Sequence, residues 1–182
     1  MRHPFLRVLE HPPGEDALRR WFGCEARWYE RAMAALGCML KDVPKTHRYV
    51  FAQLLMLIAE ELDWLEVNAN PVSSMMGENC WGERVGGIFA QGWQPAIIVT
   101  WLGTRLQYEA LRGLDAEDDL AREYLERRTS TVIEAFLHDF EELADTAIEA
   151  RGLAEASELL LRVVEGLGVL WDRGLRLMEG KE

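Results

Sequence analysis

Apolar residues recur at intervals of three and four along nearly the whole chain, which is the spacing of one face of an α-helix. No long stretch alternates between apolar and polar positions, as a half-buried strand would. The pattern therefore predicts an all-α protein. With turn and capping residues as boundaries, we predict seven helices: about 15–40, 46–66, 78–91 and 95–111, a short polar helix after 115, then about 130–152 and 154–178.

Local signals define several of these helix ends. Thr46 and Ser130 are predicted N-caps, Pro95 occupies a first-turn position, and Gly113 ends the helix that Pro95 begins. The residues before the break at 11–14 are expected to form only a short opening segment. Because the connections are short, neighbouring helices should be antiparallel, and the interior of such a bundle suits a small-molecule pocket.

Length and charge narrow the possible partners. A chain of 182 residues fits one domain, and 20 basic against 31 acidic residues give a net charge of -11. This charge repels phosphate backbones and anionic lipids, so neither nucleic acid nor a membrane is an expected partner. An apolar content of 49% excludes a disordered chain, and no apolar run reaches the roughly 18–20 residues of a membrane span.

The cysteines and histidines do not form a recognisable metal site. Cys24, Cys38 and Cys80 are odd in number and lack zinc-site spacing, so a reducing cytoplasm is the expected compartment. Di-iron bundles need a Glu three residues before a His, and neither His47 nor His138 has one. We therefore predict neither a bound metal nor another cofactor.

One carboxylate falls on the apolar face of the first long helix. Glu25 lies in the middle of that face, whose members are Leu18, Trp21, Phe22, Tyr29, Ala32 and Leu36. Two interpretations remain open. Glu25 is either a buried carboxylate paired with an arginine, or a ligand-holding or acid-base group whose pKa is raised by burial.

Two further helices also have polar residues beside apolar ones. Glu61 joins the apolar stripe of the second long helix, although the neighbouring acidic residues also fit a solvated face. The Pro95 helix places Thr104 and Tyr108 on one side with Ile97. This side could line a polar pocket, or Thr104 could simply bond the carbonyl one turn back.

The chain is also rich in tryptophan. Several of these side chains could either stack against a flat ring of a ligand or form ordinary core: Trp28, Trp81, Trp93, Trp101 and Trp171.

Four segments, taken in order, follow the motifs of one known family. Leu18-Arg-Arg-Trp-Phe-Gly-Cys-Glu25-Ala-Arg-Trp28 and Ile58-Ala-Glu-Glu-Leu62 are similar to its first two core helices. The segment 103–108 has the spacing of its Pro-Cys-x-x-x-Tyr motif, and 170–172 is similar to its Phe-Trp-Asp ending. Together these segments resemble the TenA/thiaminase II family, helical bundles of the haem-oxygenase-like fold that hydrolyse aminopyrimidines in thiamin salvage.

The resemblance implies one TenA-like helical domain over 1–182, an internal pocket and a homo-oligomer, either a dimer or a tetramer. It also implies a small, flat, nitrogen-containing ligand such as a thiamin-related pyrimidine. Glu25 takes the position of the pyrimidine-binding Asp and is the candidate catalytic residue. The candidate ligand contacts are Trp28, Glu61, Trp101, Thr104, Tyr108 and Trp171.

One departure from the family concerns its chemistry. Thr104 stands where the family has its nucleophilic cysteine, and an unassisted hydroxyl is a poor nucleophile. We therefore expect weak or absent hydrolysis. The predicted function is a TenA-like small-molecule-binding protein with a degenerate aminohydrolase site. The alternatives are a non-catalytic binding or regulatory protein and, disfavoured by the histidine positions, a metal-dependent oxidase of the same fold.

Overall fold

The computed structural model describes residues 2–70 and 87–181, and within these ranges it contains seven complete α-helices, one short 3-10 helix and no strand. The all-α prediction is confirmed. The helices are α1 (Pro4–Glu10), α2 (Glu15–Gly37), α3 (Arg48–Asn68), α4 (Trp93–Leu111), α5 (Asp119–Arg128), α6 (Thr131–Arg151) and α7 (Leu153–Met178). None of the described helices is long and apolar enough to cross a membrane.

Helix α2 occupies the centre of the bundle. It packs against α3, α5 and α7, while α4 packs against α6 and α7 on the other side. Six consecutive residues of α2, at 21–26, are buried, so the helix is covered around its whole circumference at these turns, whereas both of its ends have exposed residues. The predicted apolar face of α2 is confirmed, since all its members are buried: Leu18, Trp21, Phe22, Tyr29, Ala32 and Leu36.

Helix α1 was not predicted, because the opening segment is short and lies before a Pro-Pro-Gly break. Its first turn is capped by the His3 side chain, which accepts from the Phe5 backbone N–H. Phe5 and Leu9 are almost completely buried, and α1 packs against α7. Tertiary packing therefore stabilises a helix too short to be stable alone.

Other boundaries differ by a few residues. Thr46 is not a cap: Lys45–His47 forms a turn of 3-10 helix, and His47 precedes α3 without a side-chain capping bond. Helix α2 ends at Gly37 rather than near 40. The cap at Ser130 is confirmed, since its hydroxyl accepts from the Ile133 backbone N–H at 3.3 Å. The predicted helix at 78–91 lies mostly outside the described residues.

Candidate functional site

A cavity of about 430 Å³ opens between α3, α4 and α6, beside the end of α5. This volume is within the range of small-molecule sites. Its lining residues come from five helices and the residue that caps α6: Tyr29, Leu54, Leu57, Ile58, Glu60, Glu61, Thr104, Gln107, Tyr108, Glu126, Arg127, Arg128, Ser130, Val132, Ile133 and Phe136.

One wall of the cavity is apolar. Helix α3 presents Leu54, Leu57 and Ile58, which are three and four residues apart and so lie on one helical face. The first turns of α6 present Ile133 and Phe136 in the same way. An apolar wall of this kind favours a ligand with a hydrophobic body.

A second, charged wall is built around the buried guanidinium of Arg128, the last residue of α5. Its Nη2 lies 3.1 Å from Glu25 Oε2 and 3.3 Å from Glu61 Oε1. Its Nη1 donates to the Tyr29 hydroxyl. The guanidinium carbon also lies 4.9 Å from the Tyr29 ring centroid and 5.0 Å from that of Tyr124. One cation is therefore shared between two carboxylates and two aromatic rings.

Arg127 forms a second ion pair at this wall. Its Nε donates to Glu61 Oε2 at 3.2 Å, and its Nη2 donates to the Glu60 carbonyl at 3.3 Å. The same guanidinium lies over the Trp64 ring, 5.1 Å from the centroid. Glu61 thus forms ion pairs with both arginines. It is mostly buried, as its inward phase predicts, and does not belong to a solvated acidic face.

Glu25 is buried behind the cavity wall and is absent from the lining. Tyr124 donates to its Oε1 at 3.2 Å. Burial raises the pKa of the Glu25 carboxyl to about 7, because Arg128 and the Tyr124 bond compensate the lost solvation only in part, and Glu61 adds repulsion. The pairing with an arginine agrees with the first sequence interpretation of Glu25, and the raised pKa agrees with burial, whereas a ligand-holding or acid-base role stays a prediction.

The sequence-predicted contacts divide into two groups. Glu61, Thr104 and Tyr108 line the cavity together. Trp28 lies beside a small neighbouring void of about 10 Å³, on the other side of Thr104.

The remaining two predicted contacts also lie away from the cavity lining. Trp101 is half-buried and packs against the core. Trp171 packs at the α1 end of the bundle, with its ring centroid 5.6 Å from that of His3 and 6.5 Å from that of Phe5.

The chemistry available to Thr104 follows from its hydrogen bond. Its hydroxyl donates to the Thr100 carbonyl at 2.9 Å, one turn back on α4, as one of the sequence interpretations predicts. No cysteine is among the residues that line the cavity in the described part of the chain. Nearby, burial and the carboxylate of Glu134 raise the pKa of the Tyr108 phenol.

Metal-binding side chains do not converge on this site. In residues 2–70 and 87–181, no group of three or more His, Cys, Asp or Glu side chains has the arrangement to hold a metal ion. His138 is exposed on α6, on the side that its helical phase predicts.

Sequence reasoning missed Arg127, Arg128 and Gln107, and it treated Tyr29 only as core. A buried carboxylate needs a cationic or hydrogen-bonding partner, so the inward phase of Glu25 did indicate that an arginine should be close. The chain has 17 arginines, and periodicity does not show which of them reaches Glu25. The hydrogen bonds around Glu25 are equally long-range, since Tyr29 and Arg128, and likewise Glu25 and Tyr124, lie 99 positions apart in the sequence.

The fold and the cavity together define an all-α bundle with an open cavity whose lining is more apolar than polar. Comparison with solved structures finds the X-ray structure of a TenA homologue from Pyrococcus furiosus, with a TM-score of 0.77 and 17% sequence identity over 94% of this chain and 90% of that chain. This protein therefore has a TenA-like fold, as the sequence resemblance implies. No family model and no curated protein matches the sequence.

Proposed function

We propose that this protein is a TenA-like small-molecule-binding protein whose ligand occupies the cavity between α3, α4 and α6. The observation that supports this proposal is that Glu61, Thr104 and Tyr108 line one cavity of about 430 Å³. A flat, nitrogen-containing ring, such as a thiamin-related pyrimidine, is the ligand class that the TenA-like fold and these polar groups favour.

Each lining group has a proposed role. Glu61 accepts from an amino group of the ligand, and Tyr108 bonds a ring nitrogen. The rings of Tyr29, Tyr108 and Phe136 offer aromatic faces at the cavity wall, so they replace the tryptophans as the proposed stacking partners. Glu25 is a positioning residue in this proposal, because it holds the guanidinium of Arg128 from behind.

Binding is tested by calorimetric titration of the protein with an aminopyrimidine. We expect saturable binding, and we expect Ile133→Trp to abolish it, since the indole would occupy the cavity. Leu161→Trp is the matched control, because Leu161 is 65% exposed on α7 and does not line the cavity. Circular dichroism verifies that both variants fold. Unchanged binding in the Ile133 variant would contradict the proposed site.

The second candidate function is hydrolysis of the aminopyrimidine or of thiamin. The hydroxyl of Thr104 is already bonded to the Thr100 carbonyl, and in the described part of the chain no His, Asp or Glu side chain forms a hydrogen bond with it. We therefore expect weak or absent product formation in a thiamin hydrolysis assay at protein concentrations that bind the pyrimidine. Rapid turnover would instead show that another group attacks and would favour the enzyme over the binding protein.

A further inference from the structure

One side chain of the cavity lining, that of Gln107 on α4, has unused hydrogen-bonding capacity. In the described part of the chain, its carboxamide forms neither a hydrogen bond nor an ion pair. The residue is half-buried, and neither of its polar atoms is completely buried, so both can be reached by water or by a ligand. A primary amide carries an acceptor oxygen and two N–H donors side by side. Gln107 therefore offers a donor and an acceptor at the cavity.

The other polar side chains of the lining are either bonded within the protein or hydrated. The uncharged ones already have partners: Tyr29, Thr104, Tyr108 and Ser130. Both arginines and Glu61 are engaged in ion pairs. Glu60 and Glu126 are exposed, so solvent hydrates their carboxylates. Gln107 is thus the half-buried polar group that a ligand can bond without first breaking a contact inside the described part of the chain.

The position of Gln107 limits the direction from which it can be approached. Gln107 and Thr104 are three residues apart on one face of α4, and both line the cavity as well as the small void beside Trp28. That void has a volume of about 10 Å³, which is at the lower limit for one water molecule. A ligand therefore meets the amide from the cavity side.

The residue that the family resemblance assigns to the ligand is placed differently. Glu25 is absent from the lining, and its carboxylate pairs with Arg128. A neutral amide also recognises a different pattern from a carboxylate, which only accepts. It needs a donor and an acceptor side by side on the ligand, as when glutamine bonds the amino group and the adjacent ring nitrogen of adenine.

Resting on the proposed function, we propose that Gln107 is a specificity-determining residue of the cavity and bonds an amino group together with the ring nitrogen next to it on an uncharged heterocycle. The amide oxygen accepts from the amino group, and the amide N–H donates to the ring nitrogen. The second N–H of the amino group is left for Glu61, and a further ring nitrogen is left for Tyr108. The site then selects for the position of the amino group on the ring as well as for its presence.

Two isomers test this inference. In 4-aminopyrimidine the amino group lies next to a ring nitrogen, whereas in 5-aminopyrimidine it lies between two ring carbons. Both molecules have the same atoms and are uncharged at neutral pH. Calorimetric titration of the whole protein should give roughly tenfold tighter binding of the 4-isomer, which is the discrimination expected of one two-point contact.

Gln107→Met keeps the length of the side chain and removes both its donor and its acceptor. This variant should bind the two isomers equally, chiefly because binding of the 4-isomer is weakened. Gln107→Glu, which is isosteric, should also lose the preference, since it places a carboxylate oxygen against the ring nitrogen. Gln94→Met is the matched control: Gln94 is half-buried on α4 and outside the cavity lining, so the tenfold preference should remain. Circular dichroism verifies that all three variants fold.

The measured quantity is the ratio of the two affinities, because a merely structural role of Gln107 would weaken both isomers alike. Equal binding of the isomers by the unmodified protein, or an unchanged preference in the Gln107 variants, would overturn the inference. In both cases an aminopyrimidine still binds, so the proposed function stands. Binding of neither isomer would overturn the inference and the proposed function together.

Discussion

At the scale of single residues, Glu25 shows how burial and pairing act together. Its carboxylate is 1% exposed and shares one guanidinium with Glu61. Burial removes solvent from the Glu25 carboxylate, and Arg128, which also pairs with Glu61, offsets that loss only in part, so the pKa of Glu25 is raised. Replacing Glu25 should therefore affect the pH dependence of stability as well as the arrangement of Arg128.

We expect stability to depend on pH through Glu25. Its pKa is raised from 4.5 to about 7 by folding, so between these values the folded protein binds more protons than the unfolded chain. The contribution of Glu25 to the free energy of unfolding is fully present below about pH 4.5 and is lost as the pH rises to about 7. The free energy of unfolding in urea should fall across this interval, and Glu25→Gln should flatten that slope.

Glu158→Gln is the control for this experiment, since Glu158 is exposed on α7. It should leave the slope of the unmodified protein unchanged. If the stability of Glu25→Gln still falls as steeply as that of the unmodified protein, another group is responsible for the pH dependence.

At the scale of helices, the contact between α1 and α7 depends on one glycine. A Cβ atom built on Gly174 would lie 2.4 Å from a ring carbon of Phe5 and 2.9 Å from a ring carbon of Trp21. Phe5 and Trp21 are both almost completely buried, and their ring centroids are 4.8 Å apart. The absence of a side chain at 174 is what lets α1 pack closely on α7.

We expect Gly174→Ala to destabilise the protein by about 1–3 kcal/mol, because neither ring can move without disturbing close-packed neighbours. Gly168→Ala is the matched substitution on the same helix. A Cβ there meets nothing within 4 Å, so the change should be neutral or stabilising by up to about 1 kcal/mol. Urea denaturation of both variants measures the difference, and equal stabilities would contradict the close packing of α1.

At the scale of the whole molecule, the bundle brings together residues from five helices around one cavity. Helices α3 and α6 supply its apolar wall, and α5 ends where its two arginines meet the carboxylates of α2 and α3. The TenA-like fold therefore provides the cavity, while the side chains of this particular chain give the cavity its charged and apolar walls.

The sequence by itself determined the helical class, the inward phase of Glu25, the outward phase of His138 and the cap at Ser130, whereas it left Glu61 open between a buried and a solvated position. These features are local, because they depend on a period of 3.6 residues and on bonds within one helical turn. Tertiary structure alone decided that Arg128 reaches Glu25, that Trp28, Trp101 and Trp171 lie away from the cavity lining, and that residues 4–10 form a helix. Each of these depends on how distant helices cross and pack, and a hydrophobic period defines the buried face of a helix without specifying its neighbour.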